Sequence, residues 1–290
     1  MTRTAISPRF AINTLENTLY LRLMSFTRAK AALADSRFSD LRWVAETGST
    51  NLDVAEILAD AALERPRDCI DVALVADHQS AGRGRLDRTW EAEPGTSLLM
   101  TAGTTQAIED DRRGLALTCM SLAAVEALMA EVSYEAAIKW PNDIVAVGVG
   151  DDGGDRKVGG VLAELTPLDT GQVAIAVGIG LNCNWGAIPE HLVGIATSLD
   201  LLVDKEVDRE DLAVALLVGF ARRLALLDDE DGTRALVAEA RSHSATIGRD
   251  VQVHLPAGEI EGRAVDLDRD GALLVEAGES AEIHRVVVGD

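Results

Sequence analysis

The sequence predicts an α+β chain: a larger unit in which strands and helices mix, then a small all-β unit. Three observations carry this. From Leu41 onward, apolar runs of strand length are interleaved with stretches whose apolar residues recur every three or four positions. From about Thr246 the helical spacing stops, and short alternating runs are separated by turn residues. Only 3% of residues are aromatic although 47% are hydrophobic, so the core must be built mainly from Ala, Val, Leu and Ile. At 290 residues the chain suits one catalytic-sized domain with something smaller attached.

Leu41–Ala45 reads as a short strand. Ser49 or Thr50 can cap a helix from about Asn51 to Leu63, with Leu52, Ala55 and Leu58 on one face. Asp71–Ala76 and Ser97–Ala102 read as buried strands. Residues 112–131 read as a helix, with Leu117, Met120, Ala124 and Leu128 at helical spacing. Ala136–Trp140, Val158–Leu165 and Val173–Gly180 are further strands, and the glycine- and acid-rich Gly148–Asp155 reads as an exposed, flexible loop. After Asp208, a cap, Leu212, Leu216, Phe220, Leu224 and Leu227 mark one face of a long helix. In the tail, strands are expected at Val251–Leu255, at Ile260–Leu267 after a Gly258 turn, at Ala272–Glu276 after Asp270-Gly271, and at Ile283–Val288. The expected organisation is an N-terminal extension over 1–40, a mixed unit over 41–245 and a β unit over 246–290.

Charge restricts the partners. With 27 basic against 48 acidic residues the net charge is −21, the opposite of the field that wraps nucleic acid. Any bound anion must be held by a local basic cluster. Residues 1–40 differ: six basic against three acidic residues give +3, leaving 21 against 45, or −24, for the rest. An arginine-containing, acid-poor start fits an organelle transit peptide, or an extension ahead of a second start at Met24. No apolar run approaches the ~20 residues of a membrane span. Cys69, Cys119 and Cys183 are isolated, which argues against a disulfide framework and fits a reducing, cytoplasmic setting.

Four segments carry candidate chemistry. Gly82-Arg83-Gly84-Arg85-Leu86-Asp87-Arg88-Thr89-Trp90 places three arginines and two glycines in seven residues of an otherwise acidic chain. Glycines let backbone N–H groups approach an anion, and arginine adds a planar bidentate donor. The spacing is neither a Walker A loop nor a dinucleotide fingerprint, and alone it is equally a solvated basic turn. Lys139-Trp140-Pro141-Asn142-Asp143 offers Asn142 for a base edge and Asp143 for Mg²⁺, or simply punctuates a strand end. Lys157 precedes a glycine pair that leads into the apolar strand ending at Glu164, and Gly178-Ile179-Gly180-Leu181-Asn182 ends another. Each of these two is, by itself, compatible with a structural bulge. His78, His191, His243, His254 and His284 are scattered and form neither a metal motif nor a triad.

In this order the four segments, with Thr47-Gly48-Ser49-Thr50-Asn51, Gln79-Ser80-Ala81 ahead of the basic loop, and Ala196-Thr197-Ser198-Leu199, resemble the biotin protein ligase family over residues 41–290. The resemblance implies a mixed-sheet catalytic domain of the biotin/lipoate ligase type and a small SH3-like C-terminal domain. It implies ATP-dependent activation of biotin to biotinyl-AMP, then transfer to a lysine of a biotin carboxyl carrier domain of acyl-CoA carboxylases. Carried over by position, Ser49, Thr50, Asn51, Gln79, Arg83, Gly84, Arg85, Lys157, Gly178 and Gly180 would contact biotin. Arg83, Arg85, Arg88, Trp90, Lys139, Asn142, Lys157 and Asn182 would contact ATP, Asp143 and Asn182 would attend Mg²⁺, and Arg85 and Lys157 would be catalytic. The chain departs from the family in its acidic 148–155 loop and in Val158-Gly159 after Lys157. About 40 residues before the first strand are too few for the DNA-binding domain of some relatives, so no nucleic-acid role is expected. A lipoate ligase and a non-catalytic biotin-binding regulator are the rival readings.

Overall fold

Two sheets organise the chain. The computed structural model describes residues 27–86, 88–255, 258–278 and 281–287. Expectations placed on residues 1–26 with Met24, on Asp87 and on Val288 lie outside the described residues. The larger sheet contains β1 (Leu41–Thr47), β2 (Asp71–Gln79), β3 (Ser97–Thr104), β4 (Ala137–Lys139), β5 (Asp143–Ala146), β6 (Arg156–Pro167) and β7 (Val173–Asn182). Their order is β1-β2-β3-β7-β6-β5-β4, with β1 and β2 parallel and every other pair antiparallel, so the sheet is mixed.

The sheet buries both faces, and its strands are correspondingly apolar; β3 is buried throughout. Helix α1 (Thr50–Glu64) covers part of one face with Val54, Leu58 and Ala62, against Val72, Leu74, Ala174 and Ala176. This corrects the expected stripe of Leu52, Ala55 and Leu58. Val54 and Ala62 lie at four-residue steps from Leu58, whereas Leu52 falls well round the helix and is 54% exposed. The other face carries α2 (Leu115–Ala127), continued by a π-helical turn at Leu128–Val132, with α3 (Leu199–Val203) as a short neighbouring helix and α4 (Arg209–Leu224) packed on α2. Residues 115–132 are long and apolar enough to cross a membrane, but 67% of that stretch is buried, as expected for a helix between a sheet and a second helix. Asp208 caps α4 as expected, accepting from the Glu210 and Asp211 amides. Leu227 falls in the following 3₁₀ turn.

Three elements were not anticipated: α3, β5 and α5 (Glu230–Ser242). The first two are only five and four residues long. Helix α5 buries Thr233, Leu236, Val237 and Ala240 amid acidic and basic residues, a stripe too thin to stand out. It also completes a buried ion cluster in which Arg223 sits between Glu126 and Glu239. Burial opposes the charge on Arg223, but the hydrogen bonds it donates to Glu239 and Glu126 outweigh it and raise the guanidinium pKa.

The described part of the expected N-terminal extension is built into the fold. Residues 27–32 are helical, and Ala29, Leu33 and Phe38 are fully buried. Phe38 stacks on Phe220 of α4 with ring centroids 5.7 Å apart, and Arg28 pairs with Asp208 and Glu210.

The tail folds as an antiparallel meander of β8 (Asp250–Leu255), β9 (Gly258–Leu267), β10 (Leu273–Ala277) and β11 (Glu282–Val286). Its entry runs along the outer edge of β4: Ile138 N–H donates to His243 O and Ala245 N–H donates to Ile138 O, each at 2.8 Å. Trp140 Nε1 donates to Gly271 O, and the Trp140 amide donates to Thr246 Oγ1. The 148–155 loop, expected to be loose, is a hydrogen-bonded turn. Gly148 N–H donates to Asp155, Gly150 N–H to Gly154 O, and Asp155 pairs with Arg249 at 2.5 Å.

Phe38→Ala should destabilise the protein by about 3–5 kcal/mol, the usual loss for emptying a buried aromatic site. Urea denaturation checks this; an unchanged midpoint would mean that the 27–40 segment does not share the core.

Candidate active site

Strand register places the site. On the α1 side of the sheet, Leu99 of β3, Gly180 of β7, Gly160 of β6 and Asp143 of β5 form one row across four strands. Thr101, Gly178 and Leu162 form the next row. Helix α1 starts over the second row, with Thr50 and Asn51 against Thr101, Gly178 and Leu162, and leaves the first row to form the floor of a cavity. The walls come from Ser49, Thr50 and Asn51 at the start of α1, Gln79 at the end of β2, and the 83–90 loop.

The glycines are needed for contact. A Cβ on Gly178 would lie 2.2 Å from Asn51 Oδ1, and one on Gly180 would lie 2.5 Å from the Trp90 ring. Neither neighbour could keep its place over a side chain. Lys157 reaches this same face because a bulge between Ile144 and Val145 shifts the strand alternation.

A hydrogen-bonded network lines the α1 end. Gln79 Oε1 accepts from the Thr50 amide at 2.7 Å and from Thr50 Oγ1 at 3.0 Å. Thr101 Oγ1 lies 2.8 Å from Thr50 Oγ1 and 2.6 Å from Asn51 Oδ1. Asn51 Nδ2 donates to Leu162 O and to Glu164 Oε2. Thr50, Asn51 and Thr101 are all buried, so these bonds fix the side chains before any ligand arrives. Ser49 occupies the N-cap position, but its side chain makes no capping bond and faces the cavity instead.

The opposite end is ionic. Arg83, Arg85, Arg88 and Lys157 line the cavity, with Asp143 the one carboxylate among its lining residues. Lys157 Nζ lies 2.6 Å from Asp143 and 5.5 Å from the Trp90 ring centre. Arg85 donates to Asn142 Oδ1, and Asn142 Nδ2 donates to Val161 O. The basic loop is itself a narrow hairpin: Trp90 N–H donates to Gly82 O and Gly84 N–H to Arg88 O. The Trp90 indole N–H is buried beside the cavity without a partner, a donor for an incoming acceptor.

Fourteen of the sixteen expected site residues therefore meet at one cavity: Ser49, Thr50, Asn51, Gln79, Arg83, Gly84, Arg85, Arg88, Trp90, Asn142, Asp143, Lys157, Gly178 and Gly180. Lys139 and Asn182 do not line it. Lys139 is exposed at the end of β4. Asn182 is 3% exposed and donates to Thr197 O at 3.0 Å, bracing the chain that returns from β7. Thr101 and Glu164 were not singled out for a role. A hydroxyl inside the apolar run Ser97–Ala102 was the available signal for Thr101; Glu164 gave none beyond its place in a motif.

Comparison with known proteins decides the family. Residues 71–184 match the model described as the biotin/lipoate A/B protein ligase family, and residues 246–290 match the biotin protein ligase C-terminal domain. The chain is 34% identical over 253 residues to a Mycobacterium tuberculosis biotin--[acetyl-CoA-carboxylase] ligase, covering 84% of this chain and 86% of that protein. This chain belongs to the biotin protein ligase family. A Paracoccus denitrificans relative of the same name is 30% identical over 242 residues, covering 80% of this chain and 92% of its own. Among solved structures, the Aquifex aeolicus biotin protein ligase in complex with biotin and ATP superposes with a TM-score of 0.71 at 28% identity, over 87% of this chain and 97% of that one. The ligase fold thus comprises the mixed sheet and the separate antiparallel sheet.

Gly180→Ala should push the Trp90 ring from its seat and weaken ATP binding about tenfold, with the fold kept. Titration calorimetry reads this directly. A folded variant that binds ATP like the wild type would show that the ring has room to move.

Proposed function

We propose that this chain is an ATP-dependent biotin protein ligase. It activates biotin as biotinyl-AMP and transfers it to a lysine of a biotin carboxyl carrier domain. The carrying observation is a single cavity with a fixed amide-and-hydroxyl network at one end and four cationic side chains at the other. That pairing suits a ligand with a polar ring and a carboxylate tail that must meet a triphosphate.

Gln79 spends its oxygen on Thr50, which leaves its Nε2 hydrogens for the ureido carbonyl of biotin. Ser49 and the Thr50–Asn51–Thr101 network supply the remaining polar partners. Arg83, Gly84 and Arg85 lie over the tail, and Gly178 and Gly180 let it rest against strand β7. In the first half-reaction a biotin carboxylate oxygen attacks the α-phosphorus of ATP. The bond from that phosphorus to the bridging β-phosphate oxygen breaks, and pyrophosphate leaves. Negative charge grows on the α-phosphoryl oxygens, where Lys157 and Arg85 stabilise it, with Arg88, Trp90 and Asn142 on the nucleotide side. Asp143 would hold Mg²⁺, which would neutralise phosphate charge, on exchanging its ion pair with Lys157 for the metal. In the second half-reaction the neutral acceptor amine attacks the acyl carbon of the mixed anhydride, and AMP leaves.

The division into a catalytic unit over 41–245 and a tail over 246–290 belongs to this reading, as do Lys139 near the triphosphate and the absence of a nucleic-acid role. The −24 charge outside the first 40 residues supports the last point. We place the activity in the cytoplasm, in keeping with three free cysteines of which Cys119 and Cys183 are buried.

The test is pyrophosphate release from Mg-ATP with biotin, lipoate or neither. Release with biotin alone is expected; release with lipoate instead would move the activity to the sister enzyme. Binding without release would make the chain a regulator. Lys157→Ala should lower release by at least about 100-fold, the scale of losing one preorganised charge partner of the transition state, while circular dichroism stays unchanged. Near-normal release would remove Lys157 from the chemistry. Arg85→Gly should let biotinyl-AMP escape and label lysines of unrelated proteins, visible on a streptavidin blot. A variant that still labels the carrier domain alone would exclude Arg85 from retaining the intermediate.

A further inference from the structure

Glu164 lies at the meeting point of the two halves of the site. It faces Ala176 of β7 across the sheet, at the margin of the cavity where helix α1 begins. One carboxylate oxygen accepts from Asn51 Nδ2 at 2.8 Å, and the other accepts from Arg83 Nη1 at 2.8 Å. Asn51 is buried in the floor network, whereas Arg83 belongs to the basic loop that forms the roof. The side chain is 28% exposed, so the ion pair is only partly screened by water.

We infer that Glu164 is a positioning residue that fastens the basic loop to the floor of the cavity and thereby sets how long the acyl-adenylate is retained. The inference rests on the proposed ligase reading. Two donors converge on it from opposite sides, and only a carboxylate offers an acceptor to each. A glutamine there accepts from one donor and turns its own N–H groups toward the other, so the strap opens on one side. The loop then lifts more readily once the adenylate has formed, while Asp143 on β5 and Lys157 on β6 keep their places. Retention should suffer and chemistry should not.

The experiment uses the full chain loaded with radiolabelled biotinyl-AMP made in place from biotin and Mg-ATP. After a chase with excess unlabelled biotin and ATP, release of labelled adenylate is followed in time. Glu164→Gln is expected to release it about tenfold faster, with single-turnover adenylation within about twofold of wild type and an unaltered melting temperature. Arg83→Ala should also speed release. The double variant should be no faster than the faster single one, because both substitutions cut the same strap. Wild-type retention in Glu164→Gln overturns the inference, and so do multiplying effects in the double variant. Adenylation falling in proportion to release overturns it as well, since that pattern marks general disruption. A wild-type chain that makes no adenylate overturns the ligase reading and takes this inference with it. Retained adenylate that Glu164→Gln holds as firmly as wild type defeats the inference alone.

Discussion

The close approach of side chains to bare backbone, Asn51 over Gly178 and Trp90 over Gly180, is the constraint on which the rest of this molecule turns. Strands β7 and β6 carry glycine at three positions on one face, in two adjacent rows. The same face, two residues further along β7, carries Ala176 and Ala174 beneath α1. A single sheet surface therefore changes from covered core to open floor within one strand. The change is set by where α1 starts: its first turn supplies Thr50 and Asn51 to the cavity, and its next turns supply Val54 and Leu58 to the core.

Electrostatics complete the arrangement. A chain of net charge −21 repels nucleotides at a distance. The cavity reverses this locally by bringing three arginines and a lysine to one place. Arg83 is already engaged with Glu164, Arg85 with Asn142, and Lys157 with Asp143. These contacts limit the reorganisation needed when phosphate arrives, since the donors are aimed beforehand. The loop carrying the arginines is short and internally bonded, so its geometry comes from its own hairpin as well as from the ligand.

How much of this was legible in the sequence differs by level. The strands of the large sheet and the tail meander could be read because their apolar runs are bounded by clear turns. The gathering of the basic loop, the Lys139–Asp143 segment, the Lys157 segment and the β7 glycines followed from a family resemblance and not from spacing, since these segments are far apart in the chain. Register was not legible, and register is what aligns Asp143, Gly160, Gly180 and Leu99. The apolar face of α1 was misjudged because Leu52 looks like core by type; it points round the helix, away from the sheet. Asn182 was misplaced for the opposite reason. Gly178 and Gly180 on the same strand line the cavity, but the Asn182 amide donates to Thr197 O beyond it. Glu164 left no trace because a partly exposed glutamate in a strand is ordinary until its two partners are seen.

The entry to the tail also affects the outer rim of the large sheet. Strand β4 has only three residues and would present open N–H and C=O groups to any passing strand. Residues 243–245 lie alongside it and take up both groups of Ile138, the middle residue. The connecting segment thus serves as a selvedge, the finished border that stops a fabric from unravelling. Cutting the chain before His243 would do more than remove a small domain. It would expose a sticky edge one turn away from Asn142 and Asp143.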